Sequence, residues 1–170
     1  MASLIEDLIG ILEEETGCYR LLLEVANNKK DVIINGDLPG LQELTKQEQE
    51  LAGLLLRLEK KRISIIEDIC LVTNKAPGEM TIARLIELLE GQKEEQGKLI
   101  SVTQHLTQVL EPLREMNKIN EQLIGQSLEF VEFTMNAIQS SKEPITSASY
   151  KPKGKGYQQA NNTNFFDAKQ

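Results

Sequence analysis

The sequence has no tryptophan, a single histidine and only 4% aromatic residues. Compact cores usually take much of their bulk from aromatic side chains. Leucine and isoleucine must supply that bulk here, which favours long packed helices over a sheet. No stretch approaches the roughly 18 consecutive apolar residues of a membrane-spanning helix, and the first residues lack the basic segment that opens a signal peptide. We therefore expect a cytoplasmic, all-α protein without membrane insertion.

Cysteine is also scarce, and both cysteines, Cys18 and Cys70, lie within helical patterns. In a hairpin that turns at Gly36, Cys18 lies opposite about residue 54, which separates the two thiols by ~24 Å along the helix axis. A disulfide requires Cα atoms within about 7 Å of each other. The spacing therefore predicts two reduced, structural thiols.

The charge is unevenly distributed along the chain, whose formal net charge is −7. From Lys142 onward five lysines accompany two acids, which gives that segment +3 and leaves residues 1–141 with −10. An acidic body repels phosphate backbones, so the composition argues against nucleic acid as a partner.

Two clear breaks divide the acidic body. The first is residues 35–40, where Gly36 can take the left-handed conformation that ends a helix, Asp37 can cap the next helix and Pro39 fits its first turn. The second is residues 74–79, followed by Thr81 as an N-cap. Weaker breaks lie near Gly91 and Gly97.

The segment between the two clear breaks has a regular heptad pattern. Its positions are spaced alternately by three and four residues, and eight of the ten are apolar: Leu41, Leu44, Glu48, Leu51, Leu55, Leu58, Arg62, Ile65, Ile69 and Val72. This heptad row predicts a long helix packed along a neighbour. Residues 4–34 show a similar pattern, and the short turn between the two segments predicts an antiparallel hairpin.

Residues 81–90 form a short amphipathic pattern, and residues 92–141 form the longest helical pattern of the chain. The first half of the longer one repeats the heptad spacing, with Leu99, Val102, Leu106, Val109, Leu113 and Met116. Pro112 removes one helical hydrogen bond and clashes with the preceding turn. Two alternatives follow, one kinked helix or a second helix that starts at residue 112. Together with the hairpin, this segment predicts an up-down helical bundle over residues 1–141.

Residues 142–170 have a different composition. Proline, glycine and polar residues leave too little apolar surface to offset chain entropy, so we expect a flexible, basic, disordered tail. Four of the seven aromatic residues nevertheless lie there: Tyr150, Tyr157, Phe165 and Phe166.

Catalytic and metal-binding patterns are weak throughout. The single histidine, His105, lies inside the heptad pattern, and a di-metal carboxylate bundle would require Glu-x-x-His pairs on two helices. Position 102 is valine, so even one such pair is missing. No Cys-x-x-Cys, phosphate-binding glycine loop or nucleophile elbow occurs. We expect no catalytic residue, no metal site and no enzymatic activity.

The last helical pattern widens from residue 116 onward. Met116, Leu123, Phe130 and Ala137 repeat every seven residues, and a second row runs beside them: Ile124, Leu128, Val131, Met135 and Ile138. One row suffices for packing on the hairpin, and two suggest a second contact surface. Two interpretations remain open, an internal core or a groove for a partner's amphipathic helix.

The segment Asn120–Asn136 resembles the FlgN family of flagellar export chaperones. The family pattern is roughly Asn-x-x-Leu-Ile-x-x-Ser-Leu-x-x-Val near the end of the last long helix. The matching positions are Asn120, Leu123, Ile124, Ser127, Leu128 and Val131. The helical hairpin, the acidic body and the C-terminal tail agree with the family over the whole chain, and residues 165–170 are similar to the tails of some members.

The resemblance implies a chaperone that binds the hook-associated proteins FlgK and FlgL before secretion. It would engage their C-terminal helices, prevent premature assembly and deliver them to the flagellar type III export gate, without a cofactor. Its client contacts are expected at Asn120, Leu123, Ile124, Ser127, Leu128, Val131 and Met135. Tyr150 and Tyr157 are candidates for docking on the export gate component FlhA, because aromatic anchors are frequent interface hot spots.

The same heptads would also suit a different class of protein, a coiled-coil adaptor or scaffold with no export role. Such a protein would form homodimers through the heptad row of residues 41–72. The sequence alone leaves the oligomeric state and the identity of the clients open.

Overall fold

The computed structural model of the chain describes residues 2–76, 78 and 80–142. These residues contain helices and no strand, in the order α1 (Ala2–Ile34), α2 (Leu38–Thr73), α3 (Ile82–Leu88) and α4 (Lys93–Lys142). By their contacts, residues Met1–Phe133 form the main unit, and Thr134–Gln170 form a second unit of which the end of α4 is described. The predicted all-α fold is confirmed.

The α1–α2 hairpin turns where the sequence predicts it. Gly36 has a φ of 67°, and the backbone N–H groups of Gly36 and Asp37 donate to the carbonyls of Ile33 and Val32 at 3.1 and 2.9 Å, the Schellman arrangement that ends a helix. The Asp37 carboxylate then caps α2 by accepting from the backbone N–H of Gly40 at 3.0 Å. The turn is shorter than the six residues predicted, because α2 already begins at Leu38 with the proline inside its first turn.

The heptad row of α2 packs along α1, and nine of its ten positions are buried or half-buried. Its two charged members pair with α1: Glu48 accepts from Lys29 at 2.7 Å, and Arg62 donates to Glu15 at 2.9 Å. The tenth position, Val72, is exposed, so its predicted burial is wrong. It lies in the last turn of α2, where the hairpin contact ends.

α4 packs on α1 and runs parallel to it. Leu99 and Val102, near the start of α4, share a buried cluster with Leu8 and Leu12 of α1. Further along, the Asn120 amide donates to the carbonyl of Ala26 at 2.7 Å. Since α2 is antiparallel to α1, the three long helices form the predicted up-down bundle.

α3 covers the core at the end of the bundle where α1 begins. Thr81 is its N-cap, as predicted, and accepts from the backbone N–H of Arg84 at 3.1 Å. The cluster that α3 completes contains Ile5, Leu8, Ile9, Leu12, Ile69, Cys70, Met80, Leu85, Leu89, Leu99 and Val102.

α4 is one helix with Pro112 inside it, so the predicted alternative of a restart at residue 112 is wrong. Pro112 lies on the exposed side of α4, where water can bond the carbonyl group that loses its donor. Gly97, read as a weak break, lies within the helix, whereas Gly91 does lie in the turn before it.

Both cysteines are buried and free, as the helix register predicted. The Cys18 thiol donates to the Leu51 carbonyl with an Sγ–O distance of 3.5 Å. Burial raises the pKa of Cys18, which favours the protonated, unreactive thiol.

Among the helices in the described part of the chain, none combines the length and apolar character needed to cross a membrane. The predicted tail of residues 142–170, with Tyr150, Tyr157 and the terminal phenylalanines, lies outside the described residues apart from the backbone of Lys142. The division into domains 1–141 and 142–170 therefore stays a prediction.

Candidate functional site

The surroundings of α4 change along its length. Leu99, Val102 and Leu113 are buried, and Leu123 and Ile124 are still half-covered. One turn later Leu128 is 63% exposed and Val131 is 51% exposed. The widened apolar face of residues 116–138 is therefore core at its beginning and surface further along.

Asn120 stands where the buried part of α4 ends. It is only 4% exposed, and its Nδ2 donates to the backbone carbonyl of Ala26 in α1 at 2.7 Å. Its Oδ1 is also buried and has no hydrogen-bond partner in the structure. Since the amide binds a main-chain group of the neighbouring helix, Asn120 fixes the position of α4 on α1.

An apolar groove of about 310 Å³ lies beyond this anchor, between α4 and the α1–α2 turn. α4 contributes one wall with Ile124, Ser127, Leu128 and Val131. The turn contributes the other with Val32, Ile33, Gly36, Asp37, Leu38 and Leu41. The groove thus brings together four of the seven predicted client-contact residues.

The hydrogen bonds of the α1–α2 turn position the second wall of the groove. The Schellman end of α1 and the Asp37 cap reverse the chain within three residues. This tight reversal leaves apolar side chains on both sides of it, and Leu38 directly after the cap is 62% exposed. Because most of its side chain is exposed and it lines the groove, Leu38 is accessible to a ligand there.

The turn residues Val32, Ile33, Leu38 and Leu41 are absent from the predicted site. The sequence contains one indication of them, since apolar residues flank the polar Asn35-Gly36-Asp37 turn on both sides. Sequence position alone does not show that this turn lies beside residue 124 of α4.

The polar groups of the groove are already engaged. The hydroxyl of Ser127 donates to the carbonyl of Leu123 at 2.8 Å, and the Asp37 carboxylate accepts from Gly40. Small-molecule sites usually offer a few convergent polar groups that fix a ligand's orientation. A groove whose polar groups bond its own backbone is better suited to apolar side chains of a partner.

The remaining predicted contacts lie outside the groove lining. Leu123 is half-buried and directly precedes Ile124. Met135 is exposed and belongs to the second unit. Tyr150 and Tyr157 lie outside the described residues.

A larger groove of about 620 Å³ lies between α1 and α4, and His105 lines it. Its lining mixes charges of both signs, among them Glu13, Arg20 and Lys98. Lys98 is already paired with Glu94 at 2.7 Å. No group of three or more His, Cys, Asp or Glu residues in the described ranges is placed to hold a metal ion.

A family model described as "FlgN protein" matches residues 1–158 of the chain. The matched range includes both walls of the apolar groove and all seven predicted client-contact residues. No curated protein and no solved structure matches the chain significantly.

Proposed function

The chain belongs to the FlgN family of flagellar export chaperones, and we propose that its clients are the hook-associated proteins FlgK and FlgL. It binds their C-terminal helices in the cytoplasm, prevents premature assembly and delivers them to the type III export gate. The observation that carries the proposal is the apolar groove between α4 and the α1–α2 turn.

The groove suits a helical client because its apolar α4 residues lie at helical spacing. Ile124, Leu128 and Val131 follow one another at intervals of four and three residues on one face of α4. A client helix that lays its own apolar stripe along this face uses the helix-in-groove mode of recognition. Leu123 borders this row, and the predicted contact Met135 follows Val131 by four residues in the sequence.

Covering this face removes apolar area from water. A fully buried leucine or valine side chain contributes about 1.5–3 kcal/mol relative to an exposed one. Leu38, Leu128 and Val131 are each more than half exposed. Burial of each by a client would therefore still supply much of this free energy. Several such side chains are needed, because association itself costs translational and rotational freedom.

In this proposal Asn120 acts by holding the groove together. Its bond to Ala26 sets the position of α4 beside the α1–α2 hairpin. Ser127 lines the groove and contributes shape, since its hydroxyl already bonds the helix backbone.

The chaperone acts without catalysis or a cofactor. Docking of Tyr150 and Tyr157 on FlhA is the second part of the proposal. Removing residues 142–170 should weaken binding to FlhA and leave FlgK binding unchanged. Loss of FlgK binding in that variant would place client contacts in the tail.

The adaptor alternative requires the heptad row of residues 41–72 for dimerisation. That row packs along α1 within one chain, and its charged members Glu48 and Arg62 are paired there. This packing within one chain supports the chaperone proposal over the adaptor alternative.

The test is the double change Leu128→Asp with Val131→Asp. Two carboxylates on the exposed part of the groove should abolish co-purification with FlgK and leave the helical circular dichroism unchanged. The matched control is Leu71→Asp with Val72→Asp, another pair of exposed apolar residues, in which Leu71 is 79% exposed. The control should retain FlgK. Loss of helical signal in the first variant would mean that the face is core, and equal FlgK loss in both would exclude the groove as the client site.

A further inference from the structure

The walls of the apolar groove carry charge of one sign. The α1–α2 turn segment, residues 31–45, contains Asp31, Asp37 and Glu43, and the α4 segment, residues 119–133, contains Glu121, Glu129 and Glu132. Neither segment contains a lysine or an arginine, although Lys30, Lys46 and Lys118 lie one residue beyond their ends.

Three of these acids lie next to the apolar surface. Asp37 lines the groove itself. Glu132 follows Leu128 by four residues and Glu121 precedes it by seven, so both lie on the same side of α4 as Leu128. Glu121 and Glu132 are exposed and form none of the ion pairs found within the described chain.

A partner helix therefore meets an apolar floor with an acidic border. Complementary charges across an interface fix register and suppress wrong partners, whereas like charges side by side are costly. An apolar stripe flanked by Asp or Glu would bring like charges together here. A stripe flanked by Lys or Arg would pair with Glu121 and Glu132.

We propose that the groove selects amphipathic helices whose apolar stripe is flanked by lysine or arginine. The inference rests on the proposed client site and adds the chemistry of the helix that the site accepts. Apolar contacts supply most of the affinity, and the acidic border discriminates between helices with similar stripes.

The test uses three synthetic helical peptides with one leucine stripe at i, i+3, i+4 and i+7. Their flanking positions are all lysine, all glutamine or all glutamate, and binding to the full chain is measured by fluorescence anisotropy. The lysine peptide should bind about tenfold more tightly than the glutamate peptide, with glutamine between them. The difference should shrink at high salt, because exposed charges are screened.

Two variants assign the selectivity to the groove. Glu121→Gln with Glu132→Gln should weaken the lysine peptide about three- to tenfold and leave the glutamine peptide unchanged. The matched control is Glu67→Gln with Asp68→Asn, which removes the same charge from exposed positions of α2 and should change neither peptide. Leu128→Ser should weaken all three peptides, and Leu71→Ser should weaken none.

The results separate this inference from the proposed function. If the three peptides bind equally, or if the glutamate peptide binds best, the charge selection is wrong and the helix-binding groove stands. If selectivity survives the loss of Glu121 and Glu132, the border is not its source and the inference fails. If no peptide binds, and sedimentation shows a dimer that Leu128→Ser dissociates, a second copy of the chain occupies the groove and both proposals fail.

Discussion

The two ends of the main unit differ in how their apolar side chains are covered. At the end where α1 begins, Ile5, Leu8, Leu12, Ile69, Leu85, Leu89 and Leu99 are all less than 3% exposed, whereas Leu71 and Val72 in the last turn of α2 are exposed. At the end with the α1–α2 turn, Ile34, Leu38, Leu128 and Val131 are more than half exposed. We call these the closed end and the open end.

The connections between the helices account for the difference. At the closed end, the chain from α2 to α4 includes α3, whose Leu85 and the following Leu89 fill the space between the long helices. At the open end, the three-residue turn Asn35-Gly36-Asp37 leaves no such cover in the described part of the chain. An apolar helical row thus becomes core or exposed surface according to what covers it, with no change in its own pattern.

The largest expected difference between the two ends is the loss of stability when a leucine is changed to alanine. Leu99→Ala, at the closed end, should lower the free energy of unfolding by about 2–5 kcal/mol, because it leaves a cavity in a fully buried cluster. Leu128→Ala, at the open end, should change it by no more than about 0.5 kcal/mol while weakening FlgK binding. Urea denaturation followed by circular dichroism measures both. Equal destabilisation would show that the open end is packed as tightly as the closed end.

A smaller effect is expected at Asn120, the boundary of the buried part of α4. Asn120→Asp should lower stability by about 2–4 kcal/mol near neutral pH, because a buried carboxylate replaces the Nδ2 donor and faces the Ala26 carbonyl. Asn117→Asp, at an exposed position of the same helix, should have little effect.

The pH dependence of Asn120→Asp tests the same explanation. Burial raises the pKa of a carboxyl, and the protonated carboxyl can donate to Ala26. The destabilisation is therefore present above the raised pKa and should lessen as the pH falls to about 5. A loss that is independent of pH would point to lost packing volume instead.

Much of the fold follows from the sequence because helical periodicity and turn chemistry are local. Gly36, Asp37 and Thr81 take the turn and cap positions predicted for them. The heptad row identified the buried face of α2, including Glu48 and Arg62, whose charges are satisfied by α1. Periodicity specifies which side of a helix is buried but not where along the axis the burial stops.

Because periodicity does not show where burial stops, the candidate site was only partly predicted. The family pattern identified Ile124, Ser127, Leu128 and Val131, which line the groove, and it treated Asn120 in the same way although that side chain is buried against α1. The turn wall, with Ile33 and Leu38, depends on how far α4 extends along α1. That distance is a property of the tertiary packing and has no local signal.

The smallest effect tests whether the turn shapes the open end. A Cβ at position 40 would overlap the Asp37 carboxylate and lie 3.2 Å from Cγ1 of Val32, a groove residue. Gly40→Ala should therefore lower stability by about 1 kcal/mol, since loss of the cap outweighs the better helix propensity of alanine, and it should also weaken FlgK binding. Gly53→Ala, in the middle of α2 with no atom within 4 Å of the new Cβ, should instead raise stability by about 0.5–1 kcal/mol and leave binding unchanged. If both changes raised stability, the Asp37 cap would be dispensable, and the turn would hold the groove wall by its Schellman bonds alone.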